Sequence, residues 1–155
     1  MESGTGVEQR AALLTWPRKT LTYQVINLSA AQSAYVKRKL YKNLYKVFGV
    51  PIWMDRTELS SQASSGQKIL NVTSTEKRNF EVGAPCLIYT NESTYEYGEI
   101  DSFTSNQITL VGNLTYTWDA DTDVYPLLQG RLQQTQDLMN LTSAYSKFTV
   151  TVVEV

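Results

Sequence analysis

The amino-acid sequence predicts an α+β fold, on three observations. Apolar and polar residues alternate at Leu21, Tyr23 and Val25, which is the period of a half-buried strand. One segment, beginning at Ser29, has apolar residues at helical spacing instead. Residues 148–155 are rich in β-branched side chains, which favour strands. We therefore expect a β-β-α unit completed by C-terminal strands, with a small inserted β-barrel-like subdomain.

The N-terminal third is predicted to hold two strands, one helix and a short apolar segment. The strands cover residues 8–16 and 19–26, with a proline between them that cannot donate to a central ladder. Ser29 is the expected N-cap of the helix, and Gly49, with a proline two residues later, is expected to close it. Residues 50–54 then form the apolar extended segment.

The middle of the chain reads as short strands separated by turns, a pattern typical of a small barrel or sandwich. The predicted strands are residues 69–72, 85–89, 95–103, 107–111 and 123–128. We assign residues 61–128 to an inserted small β-barrel subdomain. Residues 1–60 and 129–155 form the domain into which it is inserted.

Composition argues against several classes of function. The chain has 14 basic and 15 acidic residues and a net charge of −1, without the basic excess that nucleic-acid binding proteins normally show. It has no histidine, so Ser-His-Asp and Cys-His catalytic sites cannot be built. Cys86 lies in an apolar context and is expected to be a packed thiol. No segment approaches the roughly 20 apolar residues needed to span a bilayer.

The carboxylates offer the remaining chemical possibilities. Glu99 and Asp101 lie two apart on a predicted strand and share a face, as a glycosidase pair can, and Glu96 lies nearby. A charged, solvated strand face explains them equally. Asp119, Asp121 and Asp123 alternate like the start of a calcium loop but lack its glycine and distal glutamate, so an acidic turn is the better interpretation. We predict no catalytic residue, metal or cofactor.

Five short sequence motifs follow one another along the chain. They are SGTGVEQR at residues 3–10, WPR at 16–18, VPIW at 50–53, FEVG at 80–83 and VYPL at 124–127. Together they resemble a tail protein family of long-tailed bacteriophages, prophages and gene transfer agents. The resemblance implies a non-enzymatic distal-tail or tail-tip protein that forms a homo-oligomeric ring and contacts neighbouring tail proteins. It implies assembly in the bacterial host cytoplasm and a final location in the virion tail, without membrane insertion or nucleic-acid binding.

Interface residues are predicted from residue type, because Trp, Tyr and Arg are enriched at binding hot spots. The candidates are Arg10, Trp16, Arg18, Trp53, Tyr95, Tyr97 and Trp118. Trp16 and Trp53 have a competing interpretation as core residues, because tryptophan is usually well buried. The basic residues of the predicted helix are interpreted as a solvated face in preference to a nucleic-acid site.

Three other functions remain open from the sequence. A carbohydrate- or receptor-binding module of the same tail would use the exposed-looking Tyr95, Tyr97, Tyr116 and Trp118. A carboxylate-based hydrolase would use Glu96, Glu99 or Asp101. A head-to-tail connector protein would share the physics of a ring protein but lie at the other end of the tail.

Overall fold

The computed structural model of the chain describes residues 18–133, 137–140 and 146–155. Within them lie one α-helix, α1 (Ala30–Lys42), one 3₁₀ turn (Trp53–Asp55) and ten strands. The strands are β1 (Thr20–Leu28), β2 (Phe48–Pro51), β3 (Thr57–Glu58), β4 (Ile69–Asn71), β5 (Pro85–Asn91), β6 (Thr94–Thr104), β7 (Gln107–Leu110), β8 (Asp123–Leu132), β9 (Asp137–Asn140) and β10 (Ser146–Glu154). Every pair of strands is antiparallel.

Six strands close into a small barrel in the order β3, β8, β5, β6, β7, β4. The last seam joins the end of β3 to the end of β4, where Leu59 lies opposite Val72. Backbone hydrogen bonds hold this seam, from the Ser60 N–H to the Asn71 carbonyl and from the Thr73 N–H to the Glu58 carbonyl, both at 2.9 Å. Closure satisfies the backbone groups that an open sheet would leave at its edges.

The barrel interior is the main hydrophobic core. Buried residues alternate with partly exposed ones along β5 and β7, because successive side chains of a strand point to opposite faces of a sheet. The buried cluster consists of Leu59, Ala63, Leu70, Val72, Phe80, Cys86, Ile88, Ile100, Ile108, Leu110, Leu114, Trp118 and Val124. Burial raises the pKa of the Cys86 thiol to about 12, so the prediction of a packed thiol is confirmed.

β8 connects the barrel to a second group of strands. Its first half pairs with β3 and β5, and its second half continues between β2 and β10. β10 in turn pairs with β1 and β9, and α1 contacts β1 and β10. The predicted boundary at residues 128/129 therefore falls inside one continuous strand.

The predicted α+β class, with a β-β-α unit, is wrong. In the described residues the fold is a mainly antiparallel β structure with a single α-helix. The α+β prediction treated the helix as a packed layer of its own. However, α1 has only 13 residues, and of these only Ser33 is buried. The first strand of that unit, residues 8–16, lies outside the described residues.

Local signals predicted where elements begin better than where they end. Ser29 caps α1 as predicted, with a reciprocal capping box between Ser29 and Gln32. The helix does not reach Gly49 as expected but ends at Lys42, because residues 48–51 pair with β8 as β2. The five predicted central strands are present as β4 to β8, and β8 extends four residues further than expected, to Leu132.

Replacing Gly130 with alanine should destabilise the fold. A Cβ at this position would lie 2.6 Å from both the Val152 Cγ1 atom and the Val153 carbonyl oxygen. Because backbone cannot move aside easily, we expect Gly130→Ala to lower the free energy of unfolding by about 2 kcal/mol. Gly112→Ala is the matched control, since nothing lies within 4 Å of its added Cβ. The measurement is the midpoint of denaturant unfolding, and equal midpoints for the two variants would refute the steric account.

Candidate protein interface

Four large side chains form a block on the outer surface of the barrel. Leu87 and Tyr89 of β5 lie opposite Tyr97 and Tyr95 of β6. They point outward because their neighbours Cys86 and Ile88 fill the core. Tyr97 is 70% exposed and Tyr95 is 50% exposed. Two predicted interface residues therefore lie side by side on an apolar strand surface.

An apolar groove of about 490 Å³ runs along this block, and we call it the aromatic groove. Its lining comes from β2, β5, β6 and β8 and comprises Val47, Phe48, Gly49, Pro51, Pro85, Leu87, Tyr95, Tyr97, Leu127 and Gln129. The glycine keeps the floor open, because a Cβ at Gly49 would stand 3.1 Å from the Leu127 Cδ1 atom. The surface can accept an inserted apolar side chain.

Trp53 belongs to an aromatic cluster beside the groove. Its ring meets that of Tyr125 edge-on with centroids 4.8 Å apart, and that of Tyr89 at 6.1 Å. Tyr125 is buried, whereas Trp53 is 46% exposed. Tyr89 also lies opposite Tyr95 of the groove. Trp53 is thus held in place on one side and open to contact on the other.

The remaining predicted interface residues are scattered. Arg18 is exposed just before β1, away from the elements that line the groove. Arg10 and Trp16 lie outside the described residues. Trp118 is 3% exposed and belongs to the barrel core, so the expectation of an exposed ring at this position is wrong. Its indole N–H is satisfied internally, which lets the whole ring be buried.

Glu96 explains the position of Trp118. Its carboxylate accepts hydrogen bonds from the Thr115 N–H at 2.6 Å, the Trp118 Nε1–H at 3.0 Å and the Tyr116 N–H at 3.3 Å. Burial raises the pKa of Glu96, but these donors stabilise the ionised form more strongly, and the net pKa is lowered. Glu96 therefore anchors a loop, while Glu99 and Asp101 are exposed on β6.

A second groove, of about 790 Å³, is polar, and we call it the acidic groove. Its lining comprises Arg56, Glu58, Tyr89, Thr90, Asn91, Thr94, Tyr116, Thr117, Trp118, Asp119, Ala120, Asp121, Thr122 and Asp123. Arg56 pairs with Glu58 at 2.9 Å and with Asp123 at 3.2 Å. Burial and the hydrogen bond to Asp123 raise the pKa of Tyr125 to about 12. In the described part of the chain, no three His, Cys, Asp or Glu side chains are grouped to hold a metal ion.

Interpreting residues one at a time missed a segregation of charge. Residues 9–54 contain eight basic residues and no acidic one, namely Arg10, Arg18, Lys19, Lys37, Arg38, Lys39, Lys42 and Lys46. Residues 79–130 contain eight acidic residues and no lysine or arginine, namely Glu81, Glu92, Glu96, Glu99, Asp101, Asp119, Asp121 and Asp123. Counting charges by segment would have revealed this segregation. The net charge of −1 does not show it, because the basic and the acidic segment nearly cancel.

Comparison with known proteins adds no relative from which a function could be transferred. Neither the models of protein families nor the curated proteins give a match to this chain. Of the helices described, none combines the length and the apolar character that crossing a bilayer demands.

Replacing Glu96 with glutamine should remove a pH-dependent part of the stability. Because the folded-state pKa of Glu96 is lowered, its contribution is present above the ordinary pKa and disappears as the pH falls through the folded value. We expect Glu96→Gln to lower the free energy of unfolding by about 2 kcal/mol near neutral pH, a figure reduced for partial exposure. The difference should shrink below about pH 4.5. Denaturant unfolding across this range measures it, and a pH-independent difference would exclude the carboxylate as the cause.

Proposed function

We propose that this chain is a structural component of a bacteriophage-type tail, a distal-tail or tail-tip ring protein. It acts by assembling with copies of itself and with neighbouring tail proteins. The observation that carries the proposal is the aromatic groove with the adjoining Trp53 cluster. Exposed apolar surface of this kind, rich in Tyr and Trp, is typical of protein contacts.

The groove has the anatomy of a contact site. Tyr95 and Tyr97 are large, rigid side chains that bury much area for little loss of side-chain entropy. Gly49 of β2 and Leu127 of β8 form the open floor of the groove beside these two tyrosines. Because hot spots form where an anchor side chain enters such a depression, a partner that inserts one apolar residue here would bind specifically.

Two of the phrases that resemble the tail family meet at this surface. VPIW at residues 50–53 ends β2 and enters the 3₁₀ turn, and VYPL at residues 124–127 lies in β8. Pro51 lies opposite Leu127 in the strand pairing, and Trp53 packs against Tyr125. The resemblance therefore rests partly on residues that build one local surface, which supports a shared contact role.

The chemistry of the described residues favours contact over catalysis. Glu96 is one of the carboxylates that the hydrolase alternative would use. Its carboxylate is engaged instead as the acceptor of three hydrogen bonds from the loop at residues 115–118. The Cys86 thiol is buried, with a pKa of about 12. Trp118, one of the aromatic residues that the carbohydrate-binding alternative would use, is buried in the core and is not available to a ligand at the surface.

Immunogold electron microscopy tests the proposal directly. An antibody raised against this chain is applied to tailed particles from the source lysate. We expect gold at a single position on each tail, which also distinguishes the distal end from a head-to-tail connector. Unlabelled particles in a lysate whose soluble fraction reacts with the antibody would overturn the proposal.

The double substitution Tyr95→Ser/Tyr97→Ser should impair assembly without unfolding the chain. Both side chains are exposed, so we expect little change in stability but at least about a tenfold fall in the number of tailed particles, as loss of hot-spot residues implies. The measurement is particle counting after the variant is supplied in trans to a deletion strain. Ile69→Ser is the control, because Ile69 is a half-exposed apolar residue on β4, a strand that contributes no residue to the groove. Normal particle numbers from the Tyr double variant would show that the aromatic groove has no role in particle assembly.

A further inference from the structure

We propose that the basic face of α1 on one copy of the chain docks against the acidic groove of a second copy. The contact joins two different surfaces of identical chains, and repeated around a ring it runs head-to-tail. The inference rests on the proposed function and deepens it, because a closed ring of identical subunits requires such a heterologous contact.

Most of α1 is exposed within the residues that the structure describes. Of its 13 residues only Ser33 is buried, and Tyr35 and Tyr41 are each about half exposed. Lys37 lies over the ring of Tyr41 and Lys39 over the ring of Tyr35, at 5.9 and 5.4 Å from the centroids. The helix thus presents alternating cations and aromatic rings, organised on its own surface.

The cations of this face have no acidic partner among the described residues. Lys37, Arg38, Lys39 and Lys42 form no salt bridge there, and residues 9–54 supply no carboxylate at all. Ordinary surface helices intersperse both signs at spacings of three or four residues, which stabilises them. A four-residue cluster of one sign therefore favours contact with a surface of opposite charge.

The acidic groove is that opposite surface. Asp119 and Asp121 lie at its exposed rim, and Arg56 is already occupied by Glu58 and Asp123. No lysine or arginine occurs from residue 79 to residue 130. The exposed ring of Tyr116, packed on Trp118, adds a surface over which a lysine or arginine can sit. The groove offers charge, aromatic area and space for long side chains.

A second copy fits this arrangement better than a nucleic acid does. A polyanion would meet the acidic surface as well as the basic helix, and the net charge of −1 gives no long-range attraction. Two copies, in contrast, attract through unlike patches and repel when like patches face each other. This repulsion disfavours arrangements in which helix faces helix or groove faces groove, such as a dimer whose two-fold axis passes through either patch.

Charge-swap variants test the contact by sedimentation velocity. The helix variant carries Lys37→Glu, Arg38→Glu and Lys39→Glu, and leaves Lys42 to interact favourably with the helix C-terminus. The groove variant carries Asp119→Lys and Asp121→Asn, because Asn tolerates the positive φ of 65° at position 121. Circular dichroism confirms that each variant is folded.

We expect the wild-type chain to associate at about 0.1 M salt and to dissociate at about 1 M, where the Debye length falls from about 10 Å to about 3 Å. Each variant alone should associate at least about tenfold more weakly. Their equimolar mixture should recover pairs, because the unchanged basic face of the groove variant can dock on the unchanged acidic groove of the helix variant. A control with the same change in net charge as the helix variant replaces Lys77, Arg131 and Lys147 with Glu and should associate like wild type.

Each other result counts against the inference in a different way. If both variants associate like wild type, the helix-groove contact is wrong while self-assembly stands. If the wild-type chain is monomeric at all concentrations and salt levels, self-assembly through this chain alone fails as well, and with it that part of the proposed function. Salt-dependent binding of double-stranded DNA by wild type but not by the helix variant would assign α1 to nucleic acid.

Discussion

The structure depends on a single strand, β8, that is hydrogen-bonded along both edges. It pairs with β2 and β3 on one edge and with β5 and β10 on the other. Four strands are therefore held in register by ten residues of backbone, and the barrel cannot separate from the outer strands without breaking β8. Gly130 makes this possible, because only a residue without a Cβ allows β8 and β10 to approach so closely.

The same strand also positions the proposed contact surface. The outward residues of β8 include Tyr125 and Leu127, which support Trp53 and form the floor of the aromatic groove. The inward residues, such as Val124, belong to the barrel core. Because side chains alternate along a strand, the packing that stabilises the barrel also fixes the aromatic residues on its outside. Rigid presentation of this kind lowers the entropic cost of binding.

Local sequence signals predicted much of this fold, and non-local pairing explains the rest. Alternation and turn residues located β4 to β8, and Ser29 identified the start of α1. The end of α1 depends on β2 pairing with β8, which no local pattern reveals. Trp118 looked exposed because its neighbours are polar, yet the distant Glu96 satisfies its N–H and allows burial. Tyr95 and Tyr97 were identified correctly as exposed, but the groove beside them needs four strands to exist.

The central claim is that this chain works through contact between copies and with neighbours, and zero-length cross-linking tests it most directly. A carbodiimide joins lysine amines to carboxylates only where they touch, and mixing ¹⁴N- and ¹⁵N-labelled chains distinguishes links between copies from links within one. The account predicts mixed-isotope peptides that join Lys37 or Lys39 to Asp119 or Asp121. Links confined to single chains would contradict the central claim. Mixed-isotope peptides that join only other sites would contradict the helix-groove contact and leave association between copies standing.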